Sequence, residues 1–289
     1  MTQLGEMSDA NFPKDEFGHV YHLGIGPGDV ANRIIMVGDT HRAKLLADSI
    51  EGYEIYSDYT PPRLFRIITG TYKGIKLSIV GTLMGIANMD FCVREIRAVT
   101  KGPLYLIRLG TCGTPSDEVS LGDVVLADKC VGIIRNPNFF HSTEEEKEGI
   151  DPYIFTKPVE ASKPLFSGLK SEVELCLKSF ESISHVGVDA SADSFYSSQG
   201  RIDSAFDDEN EAVIGDLMKK YPETKSLEME SFTLFDLATC CRKSEIHAAS
   251  VAIVIAQRKS GEFLETSKKV LLSRVLGIAI ADTLVGIEA

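Results

Sequence analysis

The stretch Ser194-Phe195-Tyr196-Ser197-Ser198-Gln199-Gly200-Arg201 brings together an aromatic face, a side-chain amide and a guanidinium. An amide both donates and accepts hydrogen bonds, whereas arginine only donates. Gln199 and Arg201 can therefore read a flat heterocycle with a carbonyl–imide–carbonyl edge while Phe195 stacks on its face. Taken alone, the stretch reads more simply as a polar turn followed by a surface arginine.

Three further groups could do chemistry. Arg108 interrupts the apolar run Leu104-Tyr105-Leu106-Ile107-Arg108-Leu109, just before Gly110-Thr111-Cys112-Gly113. A guanidinium in such a run must meet an anion or a carboxylate, because burying it unpaired is expensive. Gly38-Asp39-Thr40-His41-Arg42 reads as the turn from a strand into a helix, where backbone N–H groups and the helix dipole favour an anion that Arg42 could also reach. The same turn is equally an ordinary junction capped by Asp39 or Thr40. Glu228 and Glu230 are paired carboxylates. At i and i+2 near a strand–helix junction they are poorly placed for glycoside hydrolysis, which needs carboxyl groups about 5–5.5 or 6.5–9.5 Å apart across a substrate. Glu228 reads better as a supporting carboxylate.

The chain that must position these groups has 289 residues, 44% of them hydrophobic, and a net charge of −12. It is long enough for one large α/β domain or two small ones. Its acidity argues against general binding of nucleic acid or of anionic membranes. The six cysteines show no CxxC spacing, so neither a zinc site nor a disulfide framework is expected, and adjacent Cys240 and Cys241 read as buried small apolar residues. Residues 1–14 lack the apolar segment of a signal peptide and no apolar run reaches spanning length. The expectation is a cytoplasmic protein in a reducing compartment. Gly24-Ile25-Gly26-Pro27-Gly28 has a dinucleotide-binding look but precedes the first strand, which argues against that reading.

Residues 1–18 read as a flexible arm and 19–289 as a single domain. Strands are expected over 33–38, 64–72, 76–81, 104–113, 123–134, 185–192, 225–228 and 247–256. Helices are expected over 43–50, 87–100, 165–180, 208–221, 231–242 and 266–287. Residues 135–162 read as an irregular, solvated insertion. The strand–helix alternation argues for one sheet with helices on both faces.

Four motifs stand in one order: Val37-Gly38-Asp39-Thr40-His41-Arg42, Ile107 to Gly113, Asp193 to Arg201, and Leu227-Glu228-Met229-Glu230-Ser231. Together they resemble the nucleoside phosphorylase superfamily with the hexameric-type fold, and within it most closely the uridine phosphorylases. The resemblance runs from about Val20 to Leu284. It implies a three-layer α/β/α sandwich around a mixed, twisted, partly barrel-like sheet. It also implies reversible phosphorolysis of uridine, with deoxyuridine or thymidine as further substrates, to uracil and the sugar 1-phosphate. Inorganic phosphate would be the co-substrate, with no cofactor and no metal.

By position, the resemblance implies that Gly38, Arg42, Arg108 and Thr111 bind phosphate, joined by Arg63 from a neighbouring subunit. His22, also from the neighbour, would meet the ribose 5′-hydroxyl. Met229 and Glu230, beside Glu228, would hold the ribose. Phe195 would pack on the nucleoside, Gln199 and Arg201 would read uracil, and Thr111, Cys112, Gly113 and Arg258 would border the base. Arg108, Gln199, Arg201 and Glu230 would carry catalysis in a homodimer or a dimer-built hexamer.

Purine-specific relatives carry an Asp after the last apolar strand, and Val254-Ile255-Ala256-Gln257-Arg258 has none. The chain departs from the family pattern at Leu83, where relatives usually have glycine, at Cys112, where Thr or Ser is usual, and at Leu64, where some bacterial relatives have a Glu of an intersubunit cation site. The alternatives are a purine phosphorylase or nucleosidase on the same fold, and a catalytically degenerate nucleoside-binding paralogue.

Overall fold

The computed structural model describes residues 5–287; the first four residues of the expected arm and the last two of the chain lie outside the described residues. β1 (Arg33–Val37) turns into α1 (Thr40–Ser49). β2 (Glu54–Tyr59), β3 (Arg66–Tyr72), β4 (Ile75–Gly81), α2 (Ile86–Val99), β5 (Leu104–Thr114) and β6 (Val124–Arg135) follow. α3 (Pro137–Phe140), β7 (Tyr153–Phe155) and β8 (Val159–Glu160) precede α4 (Lys163–Leu177) and β9 (Ser184–Ala192). After a 3-10 turn at Ser197–Gln199 come α5 (Val213–Lys220), β10 (Thr224–Glu228), α6 (Ser231–Cys240), β11 (Ile246–Gln257) and α7 (Thr266–Gly286).

The strands form one mixed sheet in the order β10-β9-β6-β11-β5-β1-β4-β3-β2, with β7 and β8 paired on β6. The central neighbours β1, β4, β5 and β11 run parallel, whereas β2, β3 and β4 form an antiparallel meander. An antiparallel pairing of Leu227 with Gly113 ties β10 back to β5. Strands β5, β11, β6, β9 and β10 thereby form a ring, and the rest of the sheet stays open. This is the expected mixed α/β architecture with a partly ring-like sheet.

The pleat sends successive side chains to opposite faces. In β1, Ile35 and Val37 join one core with α1, α4 and α7, through Leu46, Leu169, Leu276 and Ile280. Ile34 and Met36 join the other core with α2 and α6, through Met89, Val93, Leu234 and Phe235. A strand covered on both faces must be apolar throughout, which is why β1 and β11 read as continuous hydrophobic runs.

The structure differs from expectation in four places. β2 was not expected: its sequence EIYSDY is polar, and at the sheet edge none of its residues is buried. α5 begins at Val213, because Asp208 and Asn210 spend their polar groups on other partners: the Asp208 carbonyl accepts from Tyr153 and the Asn210 side chain donates to the 197–201 turn. The 135–162 insertion is partly ordered, with Tyr153 buried against a small core that includes Val131 and Leu217. Cys240 is exposed and Cys241 half-buried, because α6 ends at Cys240. Within the expected arm, Ser8 bridges Lys14, Lys14 bridges Val20, and the Lys14 ammonium donates to the Ala98 carbonyl of α2.

Candidate active site

The carboxyl ends of β1 and β5, the loop before α2, the 195–201 turn and the start of α6 enclose a cavity of about 760 Å³. That is within the usual range for small-molecule sites. It brings together Gly38, Arg42, Arg108, Thr111, Cys112, Gly113, Phe195, Gln199, Arg201, Glu228, Met229 and Glu230. Residues separated by nearly 200 positions meet because β1, β5 and β11 run parallel and present their carboxyl ends together.

Arg108 is fully buried, and its guanidinium sits between two carboxylates. Nη1 pairs with Glu228 Oε2 at 2.9 Å, and Nη2 pairs with Glu230 Oε2. Burial alone would lower the Arg108 pKa, but the charges of Glu228, Glu230 and Asp189 outweigh it and hold it above the ordinary arginine value. Glu228 is committed to structure. Besides Arg108 it accepts from the backbone N–H groups of Glu230 and Ser231, at 2.9 and 3.0 Å, and from the Ser191 hydroxyl. It therefore caps the N-terminus of α6, where the dipole favours a carboxylate. Glu230 accepts from the Gly85 N–H as well as from Arg108, and burial raises its pKa against the opposing effect of Arg108.

Arg42 lies in the first turn of α1, where the Asp39 side chain accepts from the His41 N–H and caps the helix. Its Nε is buried with no partner among the described residues. Burial, and then the positive charge of Arg108, pull its pKa down to about 10. Two guanidiniums at one end of a cavity, each with a buried Nε that has no partner among the described residues, can receive a compact anion such as phosphate.

At the other end, Gln199 is fully buried. Arg201 Nη1 donates to Gln199 Oε1 at 2.6 Å and to the Phe195 carbonyl at 2.7 Å, and its guanidinium lies 3.7 Å from the Phe195 ring centroid. Burial, and then the nearby charge of Arg258, lower the Arg201 pKa to about 10. The turn is fixed from behind. Gly200 adopts φ +61°, the left-handed region open to glycine, and Asn210 Nδ2 donates to the carbonyls of Ser197 and Arg201. Arg258 lies outside the cavity lining and donates to the Gln199 carbonyl at 2.9 Å. Cys112 is buried, its Sγ facing the Ile253 carbonyl at 3.6 Å, and burial raises its pKa well above the usual thiol value.

His22 and Arg63 do not line this cavity. His22 Nδ1 sits 2.6 Å from Glu95 Oε1 and its ring stacks on Phe91 at 3.9 Å. Arg63 is exposed and lies 4.5 Å from the ring centroid of Tyr21, which itself packs edge-on against His22. The two residues thus share one surface patch outside the chain's own cavity.

Several residues of the site were missed from sequence. A Cβ on Gly110 would overlap the Arg108 guanidinium, with Cζ only 2.8 Å away, so this glycine makes room for the arginine. Asp189 is buried beside Ser226, whose hydroxyl donates to its Oδ1 at 2.6 Å, and burial followed by the charge of Glu228 raises its pKa. Met84, Phe263 and Lys269 complete the cavity wall from loops and from α7. No periodicity marks them; the acidic Asp189 inside β9 was the one readable signal. Leu83 adopts φ +60°, which explains why glycine suits this position better. Among the described residues, no cluster of three or more His, Cys, Asp or Glu is arranged to hold a metal, and no helix is long and apolar enough to cross a membrane.

Comparison with known proteins gives this geometry a lineage. A solved uridine phosphorylase structure from the oomycete Phytophthora capsici superposes with a TM-score of 0.90 at 36% identity, covering 98% of this chain and all of the other. A uridine phosphorylase of Thermococcus kodakarensis is 27% identical over 265 residues, spanning 90% of this chain and 85% of its own length. A DeoD-type purine nucleoside phosphorylase of Alkaliphilus metalliredigens is 38% identical, but over 107 residues, which is 37% of this chain and 44% of that protein. The family model of the phosphorylase superfamily matches residues 32–275, and the chain belongs to that superfamily.

Proposed function

We propose that this chain is a uridine phosphorylase, a pentosyltransferase that transfers ribose between uracil and inorganic phosphate. The observation that carries this reading is the pairing within one cavity of Arg42 and Arg108 with the Gln199–Arg201 couple. It is supported by 36% identity, over nearly the whole chain, to a uridine phosphorylase.

Hydrogen phosphate binds at Gly38, Arg42, Arg108 and Thr111. Arg42 supplies an unpaired donor, and the incoming negative charge relieves the repulsion between the two guanidiniums. Glu230 has lone pairs left after its bonds to Arg108 and Gly85, and these accept from the ribose hydroxyls beside Met229. Uracil lies against Phe195. Gln199 accepts from its imide N–H and donates to one carbonyl, while Arg201 donates to the other.

A phosphate oxygen attacks the anomeric carbon as the bond from that carbon to N1 of uracil breaks. The electron pair of that bond passes to the base. Its charge spreads onto the uracil carbonyl oxygens, where donors already in place stabilise it. The proton of hydrogen phosphate ends on uracil. No side chain need form a covalent intermediate, and positioning of the two reactants supplies much of the acceleration.

His22 and Arg63 act in the site of a neighbouring subunit, a reading supported by their shared surface patch and the anchoring of His22 by Glu95. Residues 19–289 work as one domain, with phosphate as co-substrate and no further cofactor, in the reducing cytoplasm. The test is uracil release from uridine and hypoxanthine release from inosine, each with and without phosphate. Phosphate-dependent release from uridine alone supports the reading. Release from inosine alone, or release independent of phosphate, overturns it.

A further inference from the structure

A second cavity, of about 570 Å³, lies at the far ends of α2 and α6. Both helices start at the active site. The N–H of Gly85, just before α2, donates to Glu230, and α6 begins directly after Glu230. With 14 and 10 residues they span about 21 and 15 Å at 1.5 Å per residue, so the two cavities are distinct.

The charge at this second cavity is opposite to that of the chain. Lys14, Arg94, Arg97, Arg242 and Lys243 line it against one carboxylate, Asp9, although the protein as a whole carries −12. Among the described residues, only Arg94 of these five is in an ion pair, with Asp90 at 2.7 Å. Arg97 donates to the carbonyls of Gly102 and Thr100, as a cation at a helix C-terminus does, yet its Nε is buried with no partner among the described residues. Arg242 and Lys243 lie beyond the end of α6, and its last turn carries no basic residue. The Lys14 ammonium likewise donates to the Ala98 carbonyl in the last turn of α2, at 3.3 Å, so complementing the helix dipole accounts for Arg97 and Lys14 and leaves Arg242 and Lys243. The remaining wall is largely apolar: Phe12, with the Lys14 ammonium 5.6 Å from its ring centroid, together with Val93, Leu237 and Ile246.

We propose that this cavity is a second binding site, for an organic phosphate with a flat ring, of the nucleoside monophosphate class. A phosphate monoester carries about −1.5 to −2 charges at neutral pH and offers three acceptor oxygens. That suits a rim of Arg242 and Lys243, with Lys14 beside it on the Ala98 carbonyl. The ring lies on Phe12 and the apolar wall. Inorganic phosphate would leave the apolar wall unused, and a neutral nucleoside would leave Arg242 and Lys243 without an anion.

The test is calorimetric titration of adenosine 5′-monophosphate into the full chain saturated with uracil and phosphate. Adenine does not present the edge that Gln199 and Arg201 read, so binding at the first site is discounted twice. The expected result is one equivalent bound per chain, weakened at least tenfold in the double variant Arg242→Ala/Lys243→Ala. Phosphate and adenosine, titrated separately, bind at least tenfold more weakly than the monophosphate. In the unaltered protein the monophosphate also slows alkylation of Cys240, an exposed thiol in the cavity wall. No binding, binding unchanged in the double variant, or inorganic phosphate binding as tightly as the monophosphate overturns the proposal.

Discussion

Gly110→Ala tests how Arg108 is held. The new methyl would occupy the space where the Arg108 guanidinium lies, with Cζ 2.8 Å from the added carbon. Arginine is flexible, so the clash itself is easily relieved. What the side chain cannot keep after moving is its place between Glu228 and Glu230. Breaking a buried ion pair by deleting one partner costs about 3–5 kcal/mol. Arg108 would be displaced and not removed, so we take the lower end, about 3 kcal/mol. That loss is read in thermal unfolding, and the displaced guanidinium should also raise the phosphate KM. The assay is steady-state kinetics with uridine and phosphate varied separately, alongside thermal unfolding. In an Arg108→Ala background the space above Gly110 is free, and adding Gly110→Ala should cost little further stability. A single variant with unchanged phosphate KM and unchanged melting would refute the idea that Gly110 exists to seat Arg108.

Gln199→Leu should raise KM for uridine by the equivalent of about 1–3 kcal/mol and leave the phosphate KM unchanged, because a polar edge of the base loses its partner; competition binding of uracil checks this directly. Mixing Arg63→Ala subunits with Arg108→Ala subunits should restore activity that neither shows alone, and mixed oligomers without restored activity would count against a shared site. Asp15 is buried and accepts from the Gly5, Phe17 and His19 backbones; these bonds and His19 outweigh desolvation, the largest single effect, and hold its pKa down at about 2. A lowered carboxylate pKa stabilises the fold above its ordinary value of 3.8, and that contribution is lost as pH falls towards 2. Hydrogen exchange over residues 5–20 should therefore quicken across that window, beyond the rate set by pH itself, and the extra step should vanish in Asp15→Asn.

Much of the site was legible because its residues break local rules. Arg108 in an apolar strand, two glutamates ahead of a helix, and an amide–arginine pair in a turn each demand a partner, and the parallel strands supply one. The strands of the ring were legible individually, but its closure was not. The bridge between Leu227 and Gly113 follows from sheet curvature, which leaves no periodic trace. Polar edge strand β2 was hidden because none of its residues is buried, whereas β1, covered on both faces, reads as an apolar run. Gly110 could be read as a glycine but not as the seat of a guanidinium, because that depends on where a side chain two residues away curls. At Leu83 the family pattern marked a departure from glycine, and the backbone reason for it, φ +60°, is visible only in the structure.

The central claim is that phosphate, and not water, receives the ribose of uridine. Phosphorus NMR of the enzyme with uridine and inorganic phosphate observes the acceptor directly. A new phosphate-ester resonance growing in step with free uracil is the predicted result. Uracil appearing with no phosphate ester, or no uracil at all while nucleoside binding persists, would contradict it.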